Sequence, residues 1–162
     1  MEQRSHGATA AAPNRARMRG RTHVTRTRVR FGETDAAGIV FYPTFFAWFD
    51  VGTSGLFRAA AGALLGPDNR PRWPIPIVES GARFIAPLAF DDPIEIRSTI
   101  VELGRSSFRV EHEVARDGHV VATGFEVRVL IGYGGGRIGN VPIPDELRRA
   151  LAEESSSADE VG

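Results

Sequence analysis

Cysteine is missing from all 162 residues. Its absence excludes disulfides, thiolate nucleophiles and cysteine-bearing zinc sites, and it removes the residue that would report on redox compartment. Lysine is missing too, so all 20 basic side chains other than histidine are arginine. We read that as the codon bias of a GC-rich genome. No apolar run approaches the ~20 residues needed to cross a bilayer, so a cytoplasmic protein with no membrane partner is expected. A surplus of either charge is missing as well. Twenty acids balance twenty arginines, which argues against a nucleic-acid partner held by a broad basic surface. Only four histidines are present: His6, His23, His112 and His119. No two of them have ligand spacing backed by acids, so no metal site is expected. Gly52-Thr53-Ser54-Gly55 is not the G-x-S-x-G elbow of a serine hydrolase, and the glycine-rich run from Gly132 to Gly139 lacks the Lys-Ser/Thr of a phosphate-binding loop.

The chain suits one domain. Residues 1–21 are rich in Ala and Arg and have no apolar core, so a disordered N-terminal extension is expected there. Residues 155–162 read as a disordered tail, which leaves 22–154 as the folded domain. Alternation from Thr22 to Phe31 predicts a strand. Pro43 opens a long helix, because its missing N–H would be unpaired at the first helical position anyway. Phe45, Phe49, Gly52, Leu56, Ala59 and Ala63 trace one apolar face. Phe46, Trp48, Val51 and Phe57 make the other side hardly more polar, which predicts a helix wrapped by other structure. Beyond a loop over 66–74 the period changes to two. Extended segments follow at Ile75–Phe90, Ile94–Val101, Phe108–Val114 and Val121–Tyr133, the last carrying Phe125, Val127, Val129 and Ile131 on one face. Asp117-Gly118 signals a hairpin, and a short helix over Pro144–Ala152 closes the domain. The fold class is α+β, an antiparallel sheet curled around one long central helix.

The segment Phe31-Gly32-Glu33-Thr34-Asp35-Ala36-Ala37-Gly38-Ile39-Val40-Phe41-Tyr42-Pro43 carries the chemistry. It sets an acid in a glycine-bounded turn just ahead of the N-terminus of the apolar helix. Unpaired N–H groups and partial positive charge at that end can receive an oxyanion. A carboxylate and a backbone N–H suffice for attack on a thioester, the first as nucleophile or base toward water and the second as oxyanion donor. On the residues alone, a turn or helix cap is the first reading of Asp35 and the catalytic one the second.

The stretch from Thr34 to Pro43, followed by Phe46, Trp48 and Phe49, resembles the signature of the 4-hydroxybenzoyl-CoA thioesterase family. The similarity runs from about residue 24 to 147, through Pro76-Ile77-Val78-Glu79, Ala86-Pro87, Asp91-Asp92-Pro93 and Gly104-Arg105-Ser106-Ser107-Phe108. The resemblance implies the hotdog fold, hydrolysis of acyl-CoA, and a homodimer or homotetramer with active sites at the dimer interface. It implies Asp35 as the catalytic carboxylate and the Tyr42 N–H as the group that holds the thioester carbonyl. Coenzyme A is then part of the substrate, and no separate cofactor is required.

Other residues are candidates for substrate binding. Asp50 is an acid on an apolar helix, suited to a polar substituent of the acyl group or to a subunit interface. Glu79 lies on an extended segment that could approach a neighbouring subunit's site. Coenzyme A phosphates need cations, and Arg105, Arg128 and Arg137 are available, with Arg105 in its loop the first choice. Glu33 reads as a surface residue. Phe41, Tyr42, Phe45, Phe46 and Trp48 suit either an aromatic acyl group or the packing of a buried helix. Aromatic acyl-CoA is the expected substrate, with short or medium aliphatic acyl-CoA and a non-catalytic acyl-CoA-binding module as alternatives. Hydratases of this fold rely on a histidine, and none lies between His23 and His112.

Overall fold

A computed structural model describes residues 17–62, 66–68, 72–134 and 137–153. Along these the order is β1 (Thr22–Arg28), a 3-10 turn (Phe31–Glu33), α1 (Pro43–Ala61), β2 (Ile77–Phe84), β3 (Pro93–Leu103), β4 (Ser107–Arg116), β5 (His119–Val129), β6 (Ile131–Gly134), β7 (Arg137–Asn140) and α2 (Asp145–Ala152). Five strands form an antiparallel sheet in the order β1-β3-β4-β5-β2, and β6 pairs with β7 in a small hairpin. The Asp117-Gly118 signal is realised: both residues have positive φ, 51° and 77°, as a tight β4–β5 hairpin turn requires. By contrast, β2 does not pair with β3, the strand that follows it. It crosses to the far edge and pairs with β5.

Strand alternation puts Ile94, Ile96, Ser98 and Ile100 of β3 on the face that meets α1, beside Phe108, Val110, His112 and Val114 of β4. Two apolar clusters result. One gathers Phe45, Trp48 and Phe49 of α1 with Ile94, Ile96, Val114 and Ala122. The other gathers Leu56 and Phe57 with Ile100, Phe108, Val110 and the α2 residues Leu147 and Leu151. Between them runs a buried polar band of Thr53, Ser98, His112, Glu126 and Arg128. The α1 helix can seat on this band because it carries glycine there. A Cβ on Gly52 would lie 2.2 Å from Ser98 Oγ.

Three expectations are corrected, and the buried face of β5 is decided. The face of β5 that carries Phe125, Val127 and Val129 is the outer one, and Ala122, Gly124, Glu126 and Arg128 face inward. Period-two alternation defines two faces but cannot say which is buried. The last long strand is broken at Leu130 into β5 and β6, where Leu130 N–H turns to Ser106 O and its own carbonyl takes Val141 N–H. The helix is not wrapped all round, since one sheet covers only part of its circumference. Ala47, Asp50 and Val51 stay exposed. Finally, residues 17–21 pack on the domain, with Met18 and Gly20 N–H donating to Val101 O and Ile100 O and Arg21 N–H to Leu151 O, each at 2.9 Å. The boundary expected at residue 22 therefore falls inside packed chain. Residues 1–16 and 154–162, with most of the two expected disordered ends, lie outside the described residues, as does Ala63.

Replacing Gly52 by Ala sets two effects against each other. Helix propensity favours Ala by roughly 1 kcal/mol, while overpacking against a buried neighbour costs about 1–3 kcal/mol. Ser98 is fully buried and held by His112 Nδ1 at 2.8 Å, so it has little room to yield. We expect Gly52→Ala to lower stability, read as a lower urea midpoint. A raised midpoint would show that α1 does not rest on Ser98.

Candidate active site

The turn ahead of α1 is closed on itself. Thr34 bridges Val40, Asp35 N–H donates to Ile39 O at 2.9 Å, and Gly38 N–H to Asp35 O at 3.0 Å. Gly38 has φ of 77°, a conformation that a side chain would strain. The Asp35 carboxylate accepts the Ala37 N–H at 2.8 Å through Oδ1 and is otherwise exposed. Asp35 thus does cap its turn, and the capping bond also aims the side chain. Strand-like bonds carry the segment onward, with Val40 N–H donating to Leu88 O and Phe41 N–H to Glu33 O.

Glu33 is a strut, not a free surface residue. One carboxylate oxygen accepts the Trp48 indole N–H at 3.1 Å and the other accepts Arg30 N–H at 2.7 Å. The Thr44 hydroxyl leans on its carbonyl at 3.4 Å. Glu33 therefore ties the 3-10 turn before Asp35 to the first two turns of α1.

Tyr42 is the N-cap of α1, in helical conformation with Pro43 next to it. Thr44 and Phe45 N–H bond back to Phe41 O and Tyr42 O, and Pro43 has no N–H. Among the described residues no acceptor takes the Tyr42 N–H, leaving one donor at the positive end of a 19-residue helix for an incoming anion. The aromatic residues divide by burial. Phe45 and Trp48 are core, while Phe41 and Tyr42 are more than half exposed. The Tyr42 ring meets Phe84 of β2 edge-on, with centroids 6.3 Å apart.

Further along α1, Asp50 Oδ1 accepts from Arg128 Nη2 at 2.5 Å. Arg128 is committed on every side: Nε and Nη2 lie 3.0 and 2.9 Å from Glu126 Oε2, and Nη1 donates to Ile75 O at 3.2 Å. Glu126 Oε2 also accepts the Thr53 hydroxyl at 2.7 Å and lies 3.6 Å from His112 Nε2. His112 stacks flat on Phe49, with centroids 4.7 Å apart. Its side chain is buried in the core.

The domain model of the thioesterase-like superfamily matches residues 29–151. The chain belongs to that superfamily. Among its relatives is the 4-hydroxybenzoyl-CoA thioesterase of Pseudomonas sp. (strain CBS-3), 28% identical over 139 residues that cover 76% of this chain and 93% of that one. A 1,4-dihydroxy-2-naphthoyl-CoA hydrolase of Synechococcus sp. (strain WH7803) is 30% identical over 131 residues, covering 76% and 84%. A solved gentisyl-coenzyme A thioesterase superposes with a TM-score of 0.70 at 38% identity, covering 81% of this chain and all of that one. An aspartate-to-asparagine mutant of 4-hydroxybenzoyl-CoA thioesterase, solved with 4-hydroxybenzoyl-CoA bound, gives 0.70 at 27% identity, covering 80% and 98%. The fold is the hotdog fold, and the protein is a thioester hydrolase.

Within one chain of this thioesterase, Asp35 and Tyr42 lie on the one turn that runs into α1, and the other candidates lie elsewhere. Asp50 is two turns down α1. Glu79 is exposed and pairs with Val127, on the sheet face away from α1. Arg105 is exposed in the β3–β4 loop, whose carbonyls accept from Ile143 N–H just ahead of α2 and from Arg148 of α2. The Asp35 turn docks beside Ala89, just before β3 begins. At about 3.3 Å per residue, the eleven residues of β3 therefore put Arg105 roughly 35 Å from it. Arg128, weighed as a phosphate ligand, is instead a buried structural cation, and Arg137 is exposed on β7. An open groove of about 1600 Å³ on the outer sheet face, with Arg83, Arg97 and Arg109 in its wall, includes neither Asp35 nor Tyr42.

Sequence reading missed the Glu126–Arg128 pair as a unit. The available signal was a Glu-x-Arg inside an apolar strand, two charges that alternation must place on one face. The Glu126 carboxyl lies below its ordinary 4.5. Burial alone would raise it, but the His112 ring, the Arg128 charge and the Thr53 hydroxyl outweigh burial. His112 Nε2, at 3.6 Å and with no hydrogen-bond partner, is beyond hydrogen-bond reach, so Arg128 and Thr53 are the firmer two. A folded value below the unfolded one stabilises the protein above the ordinary glutamate range, and that stability is lost as pH falls through the folded value. We therefore expect the gap in urea midpoint between wild type and Glu126→Gln to be widest at neutral pH and to close below about pH 4. A gap independent of pH would mean that Glu126 gains nothing from its ionised partners.

Proposed function

We propose that the protein hydrolyses the CoA thioester of a hydroxylated aromatic acid, releasing the free acid and coenzyme A. The observation that carries this reading is an exposed carboxylate, Asp35, in a closed turn that leads directly into a helix N-terminus with one untaken N–H, at Tyr42. The relatives named as acting on hydroxybenzoyl-, gentisyl- and dihydroxynaphthoyl-CoA support the choice of acyl group. So do the exposed rings of Phe41, Tyr42 and Phe84. The thioester carbonyl accepts the Tyr42 N–H, and the helix dipole favours the charge that develops on its oxygen. Asp35 either attacks the carbonyl carbon, expelling the CoA thiolate and leaving an anhydride for water to cleave, or takes a proton from the attacking water.

The same reading requires a second copy of the chain. Along α1, Tyr42 and Asp50 are about 12 Å apart at ~1.5 Å per residue, more than one aromatic ring spans. An acyl ring held at Tyr42 therefore does not reach Asp50 of its own chain. The surface for such a partner is the β2 edge, where Ile77, Val78, Phe84 and Ile85 are each 45–59% exposed, beside the uncovered α1 stripe. An unpaired apolar edge is a template for another strand. Glu79 and Arg105 reach a substrate only across that boundary.

Asp35→Asn keeps the size of the side chain and the capping acceptor but removes the charge. We expect turnover to fall by at least ~10²-fold, with affinity for a non-hydrolysable analogue nearly unchanged. Thiol release and calorimetry measure the two. Turnover within tenfold of wild type would make Asp35 a turn residue and nothing more.

For assembly, light scattering should give a dimer or tetramer, and Val78→Arg should shift it toward monomer with loss of activity. A fully active monomer would overturn the interfacial site.

A further inference from the structure

The Asp35 turn is closed by its own bonds, but a closed turn can still tilt as a unit. It rests on a second turn, residues 89–92, which lies between β2 and β3. On the leaving side Val40 N–H donates to Leu88 O at 2.8 Å, and Ile39 bridges Ala89. On the entering side Val29 N–H donates to Asp92 O at 3.0 Å, and Asp91 N–H donates to Val29 O at 2.9 Å. Phe31, which opens the 3-10 turn, meets Phe90 edge-on with centroids 5.9 Å apart. The segment that carries Asp35 is therefore gripped at both ends by residues 88–92.

One carboxylate oxygen holds this second turn in shape. Asp92 N–H donates to Ala89 O at 3.2 Å, and Asp92 Oδ2 accepts the Ala89 N–H in return at 2.8 Å. The same oxygen accepts from Arg116 Nη1 at 2.7 Å, at the end of β4 beside the Asp117-Gly118 hairpin. Asp91, in the middle of the turn, has φ of 69°, a conformation that costs a side chain more than it costs glycine. Such a turn needs bonds from outside its own backbone to keep its form. Asp92 supplies them as an anion: the Ala89 N–H lowers its carboxyl below the ordinary 3.8 despite burial, and Arg116 adds to the effect. The Arg116 and Asp92 side chains are 35% and 23% exposed, and ion pairs so open to solvent add little to global stability. What the charge-assisted bond gives here is direction.

Building on the thioesterase reading above, we propose that Asp92 is a positioning residue for Asp35. Anchored by Arg116, it fixes the 89–92 turn and so sets where the Asp35 turn stands against the start of α1. It acts through the backbone of Ala89 and Ile39 and not by contact with substrate.

The test makes Asp92→Ala, Asp92→Asn and Arg116→Met, each in the wild-type and in the Asp35→Asn background. Hydrolysis of para-hydroxybenzoyl-CoA is read by thiol release, and amide hydrogen exchange is read on the same proteins. Asp92→Ala removes the acceptor of Ala89 N–H and the partner of Arg116 together. Its kcat should fall roughly ten- to hundredfold, the scale of a small misplacement of a reacting group, with KM within about threefold of wild type. Asp92→Asn keeps an oxygen for Ala89 N–H and should recover most of the rate. Arg116→Met should lose about three- to tenfold, and it stays informative if Asp92→Ala does not fold. In the Asp35→Asn background Asp92→Ala should cost less than about threefold, because a residue that acts through Asp35 then has nothing left to position. Exchange at Gly38 and Val40 should quicken in Asp92→Ala while the amides of β4 and β5 stay protected.

A merely structural Asp92 gives the opposite pattern, with equal losses in both backgrounds and faster exchange throughout the sheet. That pattern overturns the proposal. So does an Asp92→Ala enzyme within about threefold of wild type beside an inactive Asp35→Asn, an outcome that leaves the hydrolytic reading standing. If Asp35→Asn turns over like wild type, the catalytic assignment of Asp35 falls, and exchange alone decides whether Asp92 holds that turn. Faster exchange at Gly38 and Val40 then supports the clamp, and unchanged exchange overturns it.

Discussion

The polar band across the core beneath α1 sets the register of the helix on the sheet, and everything at the active site depends on that register. An apolar helix on an apolar sheet can slide with little penalty, because dispersion and burial are not directional. Four contacts prevent sliding here: Gly52 on Ser98, Phe49 on His112, Thr53 on Glu126 and Asp50 on Arg128. A shift of one turn, about 5.4 Å, would strand Glu126 and Arg128 in the core without their α1 partners. Leaving a buried charge unpaired costs roughly 3–5 kcal/mol. The helix is therefore held where its N-terminus meets the Asp35 turn.

Glu33 fastens the other side of that junction. Its two oxygens join Arg30 to Trp48, so the turn that carries Asp35 and the helix that carries Tyr42 move as one piece. Asp35 and Tyr42 themselves sit at the surface of the single chain. The β2 edge likewise leaves apolar residues exposed in the single chain, among them Ile77, Val78, Phe84 and Ile85.

Much of this was legible in the residues. Asp35, Gly38 and Pro43 belong to a turn leading into a helix start, and the chemistry of such a start follows from local backbone geometry alone. The roles of Glu33 and Arg128 were not legible, since a side chain's partner is decided by packing between segments distant in sequence. Glu33 reads as a solvated acid until Trp48 is brought over it. Arg128 reads as an available cation until β5 is turned inward.

The sequence by itself determined β1, α1, β3, β4 and α2, their order and the place of the Asp35 turn, because helix periodicity, strand alternation and turn residues are short-range effects. Only the tertiary structure decided that β2 crosses to the far edge to pair with β5, since strand order depends on which long-range pairing closes the sheet over α1. It likewise decided that β5 presents its Glu-x-Arg to the core and its apolar side outward. Alternation is symmetric between two faces, and only the helix lying on one of them breaks that symmetry.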